Sequence, residues 1–93
     1  MVRKRITYWK DGDSGFFTDG KPFRLARVRA PERGQRGASK ATKTAAGMTS
    51  RSRGYVNVNK VGKSYGRDVV NISNKDGSIN DRMRKKGYTN KGR

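Results

Sequence analysis

A mainly β fold with helices (α+β), an OB-fold-like five-stranded small β-barrel carrying two α-helices, is what the sequence predicts. Three observations lead there. Strand-like alternation and turn signals follow one another so closely that five short strands fit within the first 73 residues. One helix candidate falls after the third strand and a second after the fifth, an order that suits a small closed barrel. The chain has 93 residues, enough for one domain with a small core. An open α+β sheet with the same element order is the alternative.

Taken in order, Val2 to Lys10 reads as the first strand, with Ile6, Tyr8 and Val2 turned inward. Asp11-Gly12-Asp13 is a turn signal. Ser14 to Thr18 is a short second strand holding Phe16 and Phe17. Trp9, Phe16 and Phe17 are read as core and not as a nucleotide platform. Asp19-Gly20 predicts a hairpin of type I′. Lys21 to Arg29 is the third strand, with Phe23, Leu25 and Arg27 on one face and Arg24, Ala26 and Val28 on the other. Pro31, which cannot donate to a sheet ladder, is expected to stop it.

Residues 32–37 form a Gly/Arg loop. Ala38 to Met48 is a helix whose Ala38, Ala41, Ala45 and Met48 make one thin apolar stripe, so it must pack closely. Tyr55 to Asn59 alternates as a fourth strand, residues 61–65 are read as a loop, and Arg67 to Ser73 is the fifth strand. Ser78 is placed as N-cap of a second helix from Ile79 to about Lys86, and Gly87 as its C′ stop. Residues 88–93 are expected to be a basic, flexible tail.

Composition removes whole classes of chemistry. The chain has no Cys and no His. That excludes Cys/His zinc sites, Ser-His-Asp triads, Cys nucleophiles and His-metal nucleases. Any metal must be held by oxygen, and any general base must be a carboxylate, Lys or Tyr. No apolar run is long enough to span a bilayer, and the basic start lacks an apolar stretch behind it. The protein is therefore expected to be soluble and cytoplasmic, with no membrane partner.

Twenty-four Lys and Arg face seven acids, a net charge of +17. Polyphosphate is the expected partner, because neutralising phosphates releases condensed counterions. DNA and/or RNA are the natural candidates. A membrane surface is the weaker alternative, since no long amphipathic helix accompanies the charge. Charge alone does not separate an enzyme from a ribosomal-type or architectural binder.

The most informative stretch is Phe23 to Glu32. Glu32 is the only Glu in the chain, and Arg24, Arg27, Arg29 and Arg33 surround it in sequence. A carboxylate among guanidinium groups can take a proton from water while the guanidinium groups stabilise a phosphorane's growing charge. The competing reading is a surface salt-bridge cluster on a very basic protein.

Five segments then resemble, in order, the staphylococcal nuclease-like (thermonuclease) domain. They are Asp11-Gly12-Asp13-Ser14; Phe23-Arg24-Leu25 through Ala30-Pro31-Glu32; residues 37–43; Tyr65-Gly66-Arg67; and Asp76-Gly77-Ser78-Ile79-Asn80 with Lys86-Gly87-Tyr88. The resemblance covers roughly residues 2–90. It implies an OB-type barrel and a phosphodiesterase that cleaves DNA and RNA with little sequence preference. It makes Glu32 the general base, Arg24 and Arg67 the catalytic arginines, Asp13 a calcium ligand, and Tyr65 a neighbour of the nucleotide. Arg29, Tyr65 and Lys63 are expected to hold substrate.

Two departures bear on chemistry. The family's second calcium-binding aspartate is Arg29 here, and Lys63-Ser64 stands where the family commonly has an acid. The expectation is that no cofactor is required, the alternative being a divalent cation, Ca2+ or Mg2+, entering through Asp13 and Glu32. The family's third helix has no counterpart, and a homodimer or exchanged segment could substitute for it.

Overall fold

The computed structural model describes residues 2–32 and 34–89. Its elements are β1 (Val2–Asp11), β2 (Ser14–Phe17), β3 (Pro22–Leu25), α1 (Ala38–Ser50), β4 (Tyr55–Ser64), β5 (Arg67–Asn74), β6 (Gly77–Ser78) and α2 (Ile79–Lys85). The sheet order is β3-β2-β1-β4-β5-β6, and β3 also pairs with β5 in parallel. That last pairing closes the first five strands into a ring, as in an OB-like barrel. Among the described residues, no helix is long and apolar enough to cross a membrane.

The barrel is filled by Phe17, Phe23, Leu25, Val56, Val70 and Ile72, with Ala45 and Met48 from α1 and Ile79 and Met83 from α2. The alanine stripe of α1 is buried as its spacing predicts. In α2, the Ser78 hydroxyl accepts the Asp81 N–H at 3.2 Å. Gly87, at φ 98°, ends the helix. Its N–H reaches the Arg84 carbonyl and the Tyr88 N–H reaches that of Met83, the paired bonds of a Schellman motif.

Several details differ from the sequence reading, most of them set by pairing between distant segments. In β1, Ile6 pairs with Phe17 but Tyr8 pairs with Phe16, so Thr7 is an extra residue and the strand bulges. The bulge shifts the alternation. Ile6 stays buried, Tyr8 is 53% exposed, and Trp9 turns inward onto the edge of Phe23. Phe17 is core, whereas Phe16 lies outside the core cluster, stacked with Tyr8. Val2, expected inward, is exposed.

The hairpin at Asp19-Gly20 is a three-residue loop and not a type I′ turn. Gly20 donates to Phe17, Phe17 donates to Lys21, and only Gly20 has positive φ. The type I′ turn is instead Tyr65-Gly66, at φ 50° and 78°, because β4 runs through residues 61–64 in register with β5. β3 ends at Leu25, short of Pro31. Arg27 adopts φ 58°, and the Ala26 carbonyl accepts from the Asn80 amide and the Arg84 guanidinium. Tyr88 packs on the core and Thr89 bridges Val28, so these two belong to the fold. The rest of the expected tail lies outside the described residues.

Candidate functional site

The Asp11-Gly12-Asp13 turn is wedged between two other segments. A Cβ on Gly12 would lie 2.8 Å from the Cβ atoms of both Ala30 and Ala41, so only glycine lets the turn approach them. Asp13 then holds two strands of chain in place. Its carbonyl accepts the Leu25 N–H at 2.8 Å, and its carboxylate accepts the Ala30 N–H at 3.3 Å. Arg24 lies beside this point, opposite Ser14 on β2 and Val69 on β5. Beyond Ala30 the chain reaches Glu32, whose N–H donates to Gln35 Oε1 at 2.7 Å while the Gln35 N–H returns to the Glu32 carbonyl. The opposite wall is the β4–β5 hairpin, whose turn carries Tyr65, 95% exposed, with Arg67 opening β5.

These segments enclose a cleft of about 290 Å³ lined by Asp11, Asp13, Arg24, Arg29, Ala30, Glu32, Gln35, Tyr65 and Arg67. Six of the seven residues singled out from sequence therefore meet in one place. The exception is Lys63, which sits on β4 opposite Asp68 and outside this lining. Arg27 faces a different hollow, with Asn71, Asp81 and Arg84. Arg33 lies outside the described residues.

Charge is distributed unevenly around the cleft. Asp19, Asp68, Asp76 and Asp81 form ion pairs with Lys4, Lys60, Arg51 and Arg84 elsewhere on the protein. The other three acids, Asp11, Asp13 and Glu32, all line the cleft beside three arginines. Burial pushes the Asp13 carboxyl above its ordinary 3.8, against the Ala30 N–H and the Arg24 charge, with Asp11 adding to the rise. Partial burial makes this carboxylate costly to ionise, and the Ala30 N–H and the Arg24 charge offset only part of that cost.

As a cation site the cleft offers few gathered oxygens. Asp13 is engaged with Ala30, and Asp11 accepts the Ser14 hydroxyl at 3.3 Å. Among the described residues, no three His, Cys, Asp or Glu side chains are grouped to hold a metal ion. Hard cations want six or more oxygen ligands, and this donor set does not supply them together.

Asp11 and Gln35 were not singled out by the sequence reading. Asp11 carried a signal, as the first member of a turn already noted. Gln35 carried none, since its role is to bond the backbone of one residue in an irregular loop. Compared with protein-family models and with characterised proteins, the chain matches none.

Proposed function

We propose that the cleft is the active site of a sugar-non-specific phosphodiesterase that hydrolyses DNA and/or RNA backbones, as the resemblance to the thermonuclease domain implies. The observation that carries this reading is the meeting of Glu32, Arg24 and Arg67 in one cleft, brought there from a loop and two different strands. Attack is in line. Glu32 takes a proton from water as the water oxygen bonds to phosphorus. Arg24 and Arg67 bind the equatorial oxygens as their charge grows, a task suited to the guanidinium fork. The opposite P–O bond breaks, and the leaving oxygen takes a proton from solvent. No metal enters this scheme. Arg29 supplies positive charge on the phosphate side, and Tyr65 flanks the nucleotide.

The test is incubation of purified protein with plasmid DNA and with RNA, in EDTA or in Ca2+, Mg2+ or Mn2+. Glu32→Ala should lower turnover by about 10²–10⁴-fold, the usual contribution of a general base, with nucleic-acid binding retained. Unchanged cleavage by that variant would remove Glu32 from the mechanism. A second reading, binding without cleavage, draws on Arg29, which replaces an expected acid in the cleft lining. It requires that no metal condition yields cleavage. Both readings predict salt-sensitive affinity, with a log–log slope of about −0.9 per neutralised phosphate on duplex DNA, so binding alone does not separate them.

A further inference from the structure

A hollow of about 640 Å³ forms a groove between β1–β2 and the first turns of α1. Its volume is in the range of small-ligand sites, roughly 300–1,000 Å³. Asp11 and Gln35 line both this groove and the candidate cleft, so the two adjoin. One wall is aromatic: the rings of Tyr8 and Phe16 are stacked, with centroids 5.2 Å apart and planes 26° apart. The other wall, with Ala38 and Thr42, is uncharged, and Lys10 adds a cation.

The β-bulge at Thr7 is what turns Tyr8 out of the barrel and into this groove. A strict alternation would have buried it beneath the sheet, as the sequence suggests. Bulges next to functional sites commonly re-aim a side chain in this way. An exposed tyrosine, pre-stacked on a neighbour in a groove that adjoins an arginine-lined cleft, is a platform for a planar, apolar group attached to a phosphate.

We propose that this groove is a base-stacking subsite, in which a base of a single strand, adjoining the phosphate held in the cleft, stacks on the Tyr8–Phe16 pair. The proposal rests on the cleft taking a nucleic-acid phosphate. It goes beyond that reading by naming the substrate as single-stranded or locally unpaired. Bases inside a duplex are already stacked and cannot reach Tyr8. The occupant is nucleic acid because the groove adjoins a cleft with three arginines, carries Lys10, and belongs to a chain of net charge +17.

The test measures binding, not cleavage, in a Glu32→Gln background so that the strand survives the titration. Trp9 is the only Trp in the chain and lines the groove, so its emission reports occupancy. The probes are a short oligothymidylate, an abasic deoxyribose-phosphate strand of the same length, and a duplex. Tyr8→Ala should weaken the oligothymidylate about 5- to 150-fold, the range that base–aromatic stacking supplies, and leave the other two probes unchanged. Tyr8→Phe should bind normally, because the ring and not the hydroxyl is used. Tyr8→Leu keeps apolar bulk without a π face, and serves in place of Tyr8→Ala should that variant fold poorly.

An equal loss on all three probes, no loss on oligothymidylate, or a silent Trp9 signal would overturn the proposal. So would a concentration-dependent dimer that disappears in Tyr8→Ala while oligothymidylate affinity stays unchanged, which would assign the groove to a second copy of the chain. Absence of cleavage by the unmodified protein would overturn the proposed hydrolysis and leave these binding outcomes readable.

Discussion

Asn80 is the side chain whose removal should cost the fold most per atom. It is fully buried. Its Oδ1 accepts the Ile72 N–H at 2.9 Å, and its Nδ2 donates to the carbonyls of Val70 at 3.0 Å and Ala26 at 3.1 Å. It therefore ties the first turn of α2 to β5 and to the segment that leaves β3. Asn80→Ala deletes three hydrogen bonds and leaves the buried Ile72 N–H without this partner. At about 1 kcal/mol net for each bond, plus about 1–3 kcal/mol for an unsatisfied buried group, the loss should be roughly 4–6 kcal/mol. A domain of this size has about 5–15 kcal/mol in total, so the variant should be marginal. Even 3 kcal/mol lowers Tm by about 12–24 °C in a chain of this length. The assay is urea denaturation followed by Trp9 fluorescence. Ser78→Ala, which removes the half-buried N-cap of the same helix, serves as the comparison and should cost only about 1 kcal/mol. If Asn80→Ala proves no worse than Ser78→Ala, the buried amide is not what joins α2 to the barrel seam.

Three further outcomes are expected. Cleavage should survive EDTA, and Arg29→Asp should lose the EDTA-resistant activity; complete loss in EDTA, restored by one divalent ion, would refute the metal-free scheme. The Asp19 carboxyl is held below 3.8, first by the Lys21 N–H and then by the Lys4 ammonium. The folded state thus binds fewer protons than the unfolded state just below that pH, so the contribution is full above 3.8 and fades as pH falls through the folded value. The stability gap between the native chain and Asp19→Ala should accordingly close in acid, and a gap that widens there would contradict the sign. Gly12→Ala should cost about 1–3 kcal/mol, since its Cβ collides with Ala30 and Ala41 and must push apart the walls that carry Glu32; a stability equal to that of the native chain in thermal melts would mean that this packing is loose.

The ring of five strands and both helices were legible because apolar spacing and caps are local signals. Ala38, Ala41, Ala45 and Met48 recur at helical intervals, and Ser78 and Gly87 mark the ends of α2. What escaped were features set by partners distant in sequence. Nothing near Thr7 announces a bulge, which arises from the register of β1 against β2. Residues 61–64 resemble a loop around Gly62, yet pairing with β5 extends the strand through them. Arg27 leaves the sheet because the side chains of Asn80 and Arg84, more than fifty residues away, take the Ala26 carbonyl. At the site, Glu32, Arg24 and Arg67 were found through motif resemblance, whereas Gln35 acts through a backbone bond that no residue pattern encodes.

The parallel pairing of β3 with β5 has a consequence in time as well as in space. The β1–β2–β3 meander and the β4–β5 hairpin can each form from near neighbours. The β3–β5 contact must wait, since α1 and the whole of β4 lie between its partners, and long loops close late. Arg24 belongs to one side of that contact and Arg67 to the other. A chain emerging from the ribosome as far as Ser64 already carries the carboxylate and the first arginine, but not the wall opposite them. On the proposed function, a strongly basic protein born beside ribosomal RNA and messenger RNA would remain inert toward both until β5 is in place. In the folded protein, a fluctuation that opened only this pairing would part Arg24 from Arg67 and dismantle the cleft while the β1–β2–β3 meander and the β4–β5 hairpin persisted.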